Sequence, residues 1–314
     1  MNAHDINKKR PGLISKINRA LMKAVNSRSS VVISSMQEPD YVAAITVDFS
    51  PLLATILNNT FPQYQFDVSS VFCHQKPKVN INYQPPNPNY PKNPELGDLL
   101  FVYFEEQNNG ALLCNSLLLQ AKIEHSYPTY VAPNDLHQLT LYTEWPIFSY
   151  FNGQLSGQNR DIQPKCLTDG AQYMLIDDNA YNMRIPGRFG KSFLHCAVPS
   201  KVLFRDKSLS GELTDFFKFK AGRMFDENPF TTNDDWTKMI WDLLCFGICK
   251  FKRKNTNFNN QPRGNYFTNH FITSPIYKMI QNYGKQIASN IQVNPQAVDD
   301  TSLSVVIIQG TVRR

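Results

Sequence analysis

The stretch ELGDLLFVYFEEQNNGALLCNSLLLQAK, Glu95 to Lys122, decides how this chain folds. Leu99 to Phe104 is a fully apolar run. Leu117 to Ile123 is a second one, interrupted by two polar side chains, Gln120 and Lys122. Between them Gln107-Asn108-Asn109-Gly110 ends in Asn-Gly, the strongest short-range hairpin signal. The two runs are therefore expected as neighbouring strands. Side chains alternate along a strand, so Gln120 and Lys122 share one face and Ala121 takes the other. Asp98, just ahead of the first strand, then lies near the Gln120 and Lys122 face.

Outward from this hairpin the chain alternates strands and helices. Upstream, residues 11–27 carry apolar residues at helical spacing, with Lys and Arg on the other face. A second helix is expected from Pro39 to Ile56, kinked or divided at Pro51. Gln65–His74 and Lys78–Tyr83 alternate like strands. Pro85 to Pro94 holds five prolines and reads as a loop. Downstream, Asn134-Asp135 caps a helix over Leu136–Glu144 that ends before Pro146. Gln172–Ile176 reads as a buried strand, and Asp234–Phe251 as a helix with an apolar face. A helix near 275–290 and a strand at Leu303–Gln309 close the chain. Strands broken by helices, with apolar central runs, predict an α/β fold: a mixed central sheet flanked by helices.

Composition narrows the class. The 314 residues are 42% hydrophobic and 18% charged, which excludes a disordered chain. No 18-residue apolar run exists, and no apolar segment follows the basic N-terminus, so neither a membrane span nor a secretory signal is expected. The six cysteines are scattered without a CxxC pair, which suits reduced thiols in a cytoplasmic protein. The net charge of +6 resides in residues 1–30, where Lys8, Lys9, Arg10, Lys16, Arg19, Lys23 and Arg28 face one acid, Asp5. Such an arm attracts polyanions or forms a solvated helix face.

An ionised Asp and a Lys at the ends of apolar strands are costly unless paired or metal-bound. A carboxylate, an amide oxygen and a lysine at one spot meet the needs of metal-assisted phosphodiester hydrolysis. Oxygen ligands suit Mg²⁺ or Mn²⁺, and a lysine supports the nucleophile and the developing charge.

Asp98, a strand-turn-strand spacer and Gln120-Ala121-Lys122 after three leucines resemble the core of the PD-(D/E)XK, restriction-endonuclease-like nuclease superfamily. The likeness is to its Q-x-K variant, found among Mrr-like and some restriction-type endonucleases. It covers about 30 residues in the motif and 36–180 as a core. It implies Asp98, Gln120 and Lys122 as catalytic residues, and Asp98, Gln120 and the Ala121 carbonyl as metal ligands. Glu38, ahead of Pro39, or Glu95 is the candidate further acid. Two departures stand out: Gly97 replaces the family's Pro, and Gln120 replaces its usual acid. The implied organisation is a basic arm (1–35), the nuclease core (36–200) and a mainly helical C-terminal addition (201–314). The implied activity is Mg²⁺-dependent cutting of DNA in host defence or mobile-element biology, alone, as a homodimer or with a partner protein. The alternative is a non-catalytic nucleic-acid-binding or scaffold protein retaining a decayed core.

Lys8, Lys9 and Arg10, with Lys250, Lys252, Arg253 and Lys254 around Phe251, are candidate nucleic-acid contacts. The second cluster equally suits a helix C-terminus. Gln138 or His137 lines the site from the capped helix in this reading, the alternative for His137 being a plain surface residue of that helix. Gly187 to Ser192 lacks phosphate-loop spacing, though Arg184, Arg188 and Lys191 remain phosphate contacts to consider. An enzyme of another class would draw on residues 169–195, with Asp177, Asp178, Ser192 and His195.

Overall fold

The computed structural model describes residues 1, 3–29, 35–73, 77–151, 155, 157–165, 170–178, 192–249, 257–258, 261–262, 264–290 and 303–313. Helix α1 (Ala3–Ser29) is followed by α2 (Glu38–Ala43), a π-helical stretch (Ala44–Phe49) and α3 (Ser50–Thr60). Next come β1 (Tyr64–Phe72), β2 (Val79–Ile81), β3 (Leu99–Glu106), β4 (Leu112–Ile123) and β5 (Thr129–Tyr130). Helix α4 (Leu136–Glu144) leads to β6 (Phe148–Tyr150), β7 (Asn159–Arg160), β8 (Ala171–Ile176), β9 (Leu194–Ala197), β10 (Val202–Leu203) and β11 (Lys207–Ser208). The remainder is α5 (Leu209–Phe216), β12 (Arg223–Phe225), α6 (Asp235–Cys249), β13 (Asn257–Phe258), β14 (Gln261–Pro262), β15 (Gly264–Tyr266), α7 (Asn269–Thr273), α8 (Pro275–Asn290) and β16 (Ser304–Val312).

Nine strands form one mixed sheet, in the order β11-β9-β8-β4-β3-β16-β1-β15, with β12 beside the first half of β4. The β3–β4 hairpin is antiparallel, and β4–β8 and β16–β3 are parallel. Both faces are covered, as uninterrupted apolar strands require. On one face Leu99, Phe101, Leu117, Leu119, Val306 and Ile308 pack with residues of α1, α2, α3 and α5. On the other, Leu100, Val102, Leu118, Leu175, Val305 and Ile307 pack with residues of α4, α6, α7 and α8.

Three features refine or differ from the sequence reading. Helix α1 starts at Ala3 and carries Pro11 within it, on an exposed turn. Pro51 divides the helical run as expected, but by a change of helix type rather than a break: the π-helical stretch ends at Phe49 and α3 starts at Ser50, with Pro51 in its first turn. The C-terminal part, expected as a mainly helical addition with a final strand, is not packed outside the sheet. Its last strand lies between β3 and β1, inside the sheet, so a boundary at residue 200 does not separate the sheet from an addition. Val305 to Ile308 are apolar on both faces and are buried on both in that position. The helical run Glu38–Thr60 is long and apolar enough to cross a bilayer by length and composition. In this fold it covers the sheet, with 61% of that window buried.

The α6 side is fastened by one buried carboxylate. Asp242, fully buried, accepts hydrogen bonds from Arg160 Nη2 (2.8 Å) and Nε (3.1 Å), Tyr150 Oη (2.9 Å) and Tyr283 Oη (2.8 Å). It thereby ties α6 to β6, β7 and α8. Burial pushes its pKa up, and Arg160 opposes that shift. Removing one partner of such a pair strands the other charge. Asp242→Ala is expected to lower the unfolding free energy by about 3–5 kcal/mol in urea titration. The Asp242→Leu/Arg160→Leu double variant is expected to recover most of that loss.

Candidate active site

The hairpin register places the site. Leu99 pairs with Leu119, and the Asp98 N–H donates to the Leu119 carbonyl at 2.8 Å. Asp98 Oδ2 then accepts from the Ala121 N–H at 2.7 Å and from Gln120 Nε2. Both side chains are buried, at 5% and 8% exposure. Gly97 has a steric reason. A Cβ there would sit 2.8 Å from Leu118 Cδ1 and 2.9 Å from Tyr142 Oη. The same close approach lets Tyr142 Oη donate to the Leu96 carbonyl at 2.7 Å.

The crossover from β4 through α4 to β8 brings α4 over the Gln120 and Lys122 face. Lys122 Nζ is half-buried and pairs with Asp135 Oδ2. Asp135 therefore stands at the N-cap of α4 without capping it: the sequence reading of a plain cap is replaced by an ion pair across the site. Glu38, the first residue of α2, arrives from the other face, and its Oε1 accepts from the Ile123 N–H at 3.0 Å. Together these groups border an open cavity of about 290 Å³, which Glu38, Glu95, Gln120, Ala121, Lys122 and Asp135 line in part. Lys78, His137, Gln138 and Tyr173 complete much of the wall.

The polar groups of this cavity are incompletely matched. Gln120 Oε1, Gln138 Nε2, His137 Nδ1 and Tyr173 Oη are buried without a hydrogen-bond partner. Buried polar groups are normally satisfied, so these four atoms are left for water in the cavity or for a molecule that enters it. Burial holds the His137 pKa below its usual value, against the opposing charge of Asp135, so the ring is neutral near pH 7. Asp98 and the orphaned Gln120 Oε1 are adjacent hard oxygen donors of the kind Mg²⁺ takes. Among the described residues, no three His, Cys, Asp or Glu side chains form a ready metal cluster. An ion here would rest on one carboxylate, neutral oxygens and retained water.

Other candidates lie elsewhere. Arg10 pairs with Asp215 at 3.2 Å, and Lys9 donates to the Thr60 carbonyl and lies over the Phe61 ring. The Met1 amino group pairs with Glu105, opposite Leu113, which lies some 23 Å of strand away from Gln120. Lys250, Lys252, Arg253 and Lys254 lie outside the described residues, as do Arg184, Arg188 and Lys191. Asp177 pairs with Arg205 at 2.8 Å, and Asp178 accepts from Tyr41 Oη at 3.0 Å. Ser192 Oγ donates to the Leu194 carbonyl. The sequence reading missed Lys78 and Tyr173. Lys78 sits in an isolated bridge to Glu95, and Tyr173 in a strand read only as core.

Comparison with protein-family models, with curated proteins and with solved structures returns no match for this chain.

His195 provides a pH signature for the neighbouring strand β9. Burial first, then the Arg205 charge, hold its pKa at about 4, against a smaller opposing effect of Asp177. The unfolded chain binds that proton near pH 6.5, whereas the folded chain resists it until about pH 4. The stabilising difference is present above pH 6.5 and is lost as pH falls toward 4. Chemical denaturation across that window is expected to show a shallower acid-side loss for His195→Asn than for wild type.

Proposed function

We propose that this cavity is the active centre of a metal-dependent nuclease that hydrolyses phosphodiester bonds of DNA, with Mg²⁺ or Mn²⁺. One observation carries the reading: buried Gln120 Oε1 is left unpartnered beside the Asp98 carboxylate, in the wall of an open cavity that Lys122 also borders. Glu38, reaching the end of the same strand from the first helix of the core, supports it independently.

In this account Asp98, Gln120 and the Ala121 carbonyl hold the ion, and Glu38 or Glu95 adds charge. When bound, the ion polarises the phosphate and lowers the pKa of its water. Lys122 places a cation where the nucleophile enters and negative charge grows. Asp135 holds the Lys122 ammonium in that position through their ion pair. Neutral His137, Gln138 and Tyr173 offer hydrogen bonds to the substrate from the wall. A setting in host defence or mobile-element biology, in which the chain works as a homodimer or with a partner, rests on the family resemblance alone. A second reading, a scaffold with a decayed centre, is favoured by Gln120 in the acid's place.

Supercoiled plasmid, single-stranded DNA and RNA incubated with Mg²⁺, Mn²⁺ or EDTA test the proposal. Metal-dependent cutting of DNA is expected, reduced at least about a hundredfold in Asp98→Ala and in Lys122→Ala. Cutting that survives EDTA or both substitutions overturns it. Absence of cutting in any metal favours the scaffold.

A further inference from the structure

The strands β5 and β10 form a short ribbon at the rim of the cavity. Val202 pairs with Tyr130 and Leu203 with Thr129, and the Val131 N–H donates to the Lys201 carbonyl at 3.1 Å. Val131 and Leu203 wall the cavity from its inner face. Alternation therefore turns Tyr130, Val202 and Phe204 outward.

Tyr130 is 67% exposed, Tyr127 56% and Phe204 50%. Aromatic side chains of this size ordinarily bury most of their area, so three together on a cavity rim mark a contact surface. Two of the rings are also held in place. Tyr127 meets Phe204 edge-on, with centroids 6.5 Å apart at 82°. The Arg205 guanidinium lies 4.8 Å from the Tyr127 ring, and is itself fixed by Glu124 at 2.7 Å and Asp177 at 2.8 Å. A fixed ring loses little freedom when a second planar group stacks on it.

We infer that this ribbon is a stacking platform for the unpaired bases of a single-stranded nucleic acid whose backbone enters the cavity. The inference rests on the nucleic-acid reading of the cavity and adds the substrate class. The occupant follows from continuity and chemistry. The same ribbon forms the cavity wall on one side and presents the rings on the other, so a strand leaving the cavity meets them next. The exposed surface is aromatic rather than aliphatic, and stacking on such rings accepts every base. Lys78 at the cavity and exposed Lys201 on the ribbon are cations for the backbone. A duplex keeps its base faces stacked inside and cannot use the rings.

Fluorescence anisotropy of a labelled oligo(dT) and of a blunt DNA duplex, in EDTA, tests this apart from catalysis. Wild type is expected to bind the single strand more tightly than the duplex. Tyr130→Ala and Phe204→Ala are each expected to weaken single-strand binding about fivefold or more, with unchanged thermal unfolding and little change for the duplex. Phe230→Ala, an exposed aromatic on another surface, is expected to bind like wild type. Equal single-strand affinity in wild type and both ribbon variants overturns the platform, as does an equal loss in Phe230→Ala. If the ribbon variants lose binding while no metal supports cutting, the platform stands and the hydrolytic reading falls. If cutting occurs but the ribbon variants bind like wild type, the platform alone falls.

Discussion

The candidate centre depends on the register of one hairpin. Leu99 opposite Leu119 puts Asp98 beside Gln120 and Ala121. A slip of one residue would send Gln120 and Lys122 to the face covered by α1 to α3. Burial alone does not prevent this, because both strands are apolar on both faces. Specific polar contacts do. Asn115 Nδ2 donates to the Phe216 and Ala221 carbonyls, each at 2.9 Å. On the opposite face, Ser116 Oγ donates to the Arg223 carbonyl and accepts from Trp236 Nε1. At the tip, the Gln107 N–H donates to the Ala111 carbonyl, and Gly110 takes φ +83°, where a side chain would be strained. Two buried polar residues and a turn fix what the hydrophobic pattern leaves free.

The second constraint is the inserted C-terminal strand. Ser304 lies directly beside Leu99, next to the catalytic candidate Asp98. The hairpin therefore has β16 on one side and β8 on the other, and neither edge of the pair is open along the site. The sheet that carries the candidate residues is completed only when the last segment of the chain has been added. Formation of the site is thereby coupled to the whole fold rather than to the residues that resemble a nuclease core.

Much of this architecture was legible in the amino-acid pattern. The hairpin, α4 at Leu136–Glu144, β8 and the final strand follow from apolar runs, an Asn-Gly turn and cap residues. The shared face of Gln120 and Lys122 follows from strand alternation. Other features need three dimensions. The Asp135 partner of Lys122 is read as a cap because its sequence context is that of a helix start. The position of β16 depends on pairing across about 200 residues, which no local pattern encodes. The basic arm reads as a polyanion-binding segment or a solvated helix face; in the fold Ile6, Leu13, Ile17 and Leu21 pack it as a helix, and Lys9 and Arg10 are bonded to Thr60 and Asp215. Charge counts do not reveal which cations already have partners.

The claim that joins these features is that Asp98 and Gln120 form a divalent-cation site. Titration of Mn²⁺ into the intact chain, followed by electron paramagnetic resonance, tests it without needing a substrate. The account predicts saturable Mn²⁺ binding that Mg²⁺ displaces and that Asp98→Asn abolishes while the fold is retained. Absence of saturable binding, or binding unchanged in Asp98→Asn, would contradict it.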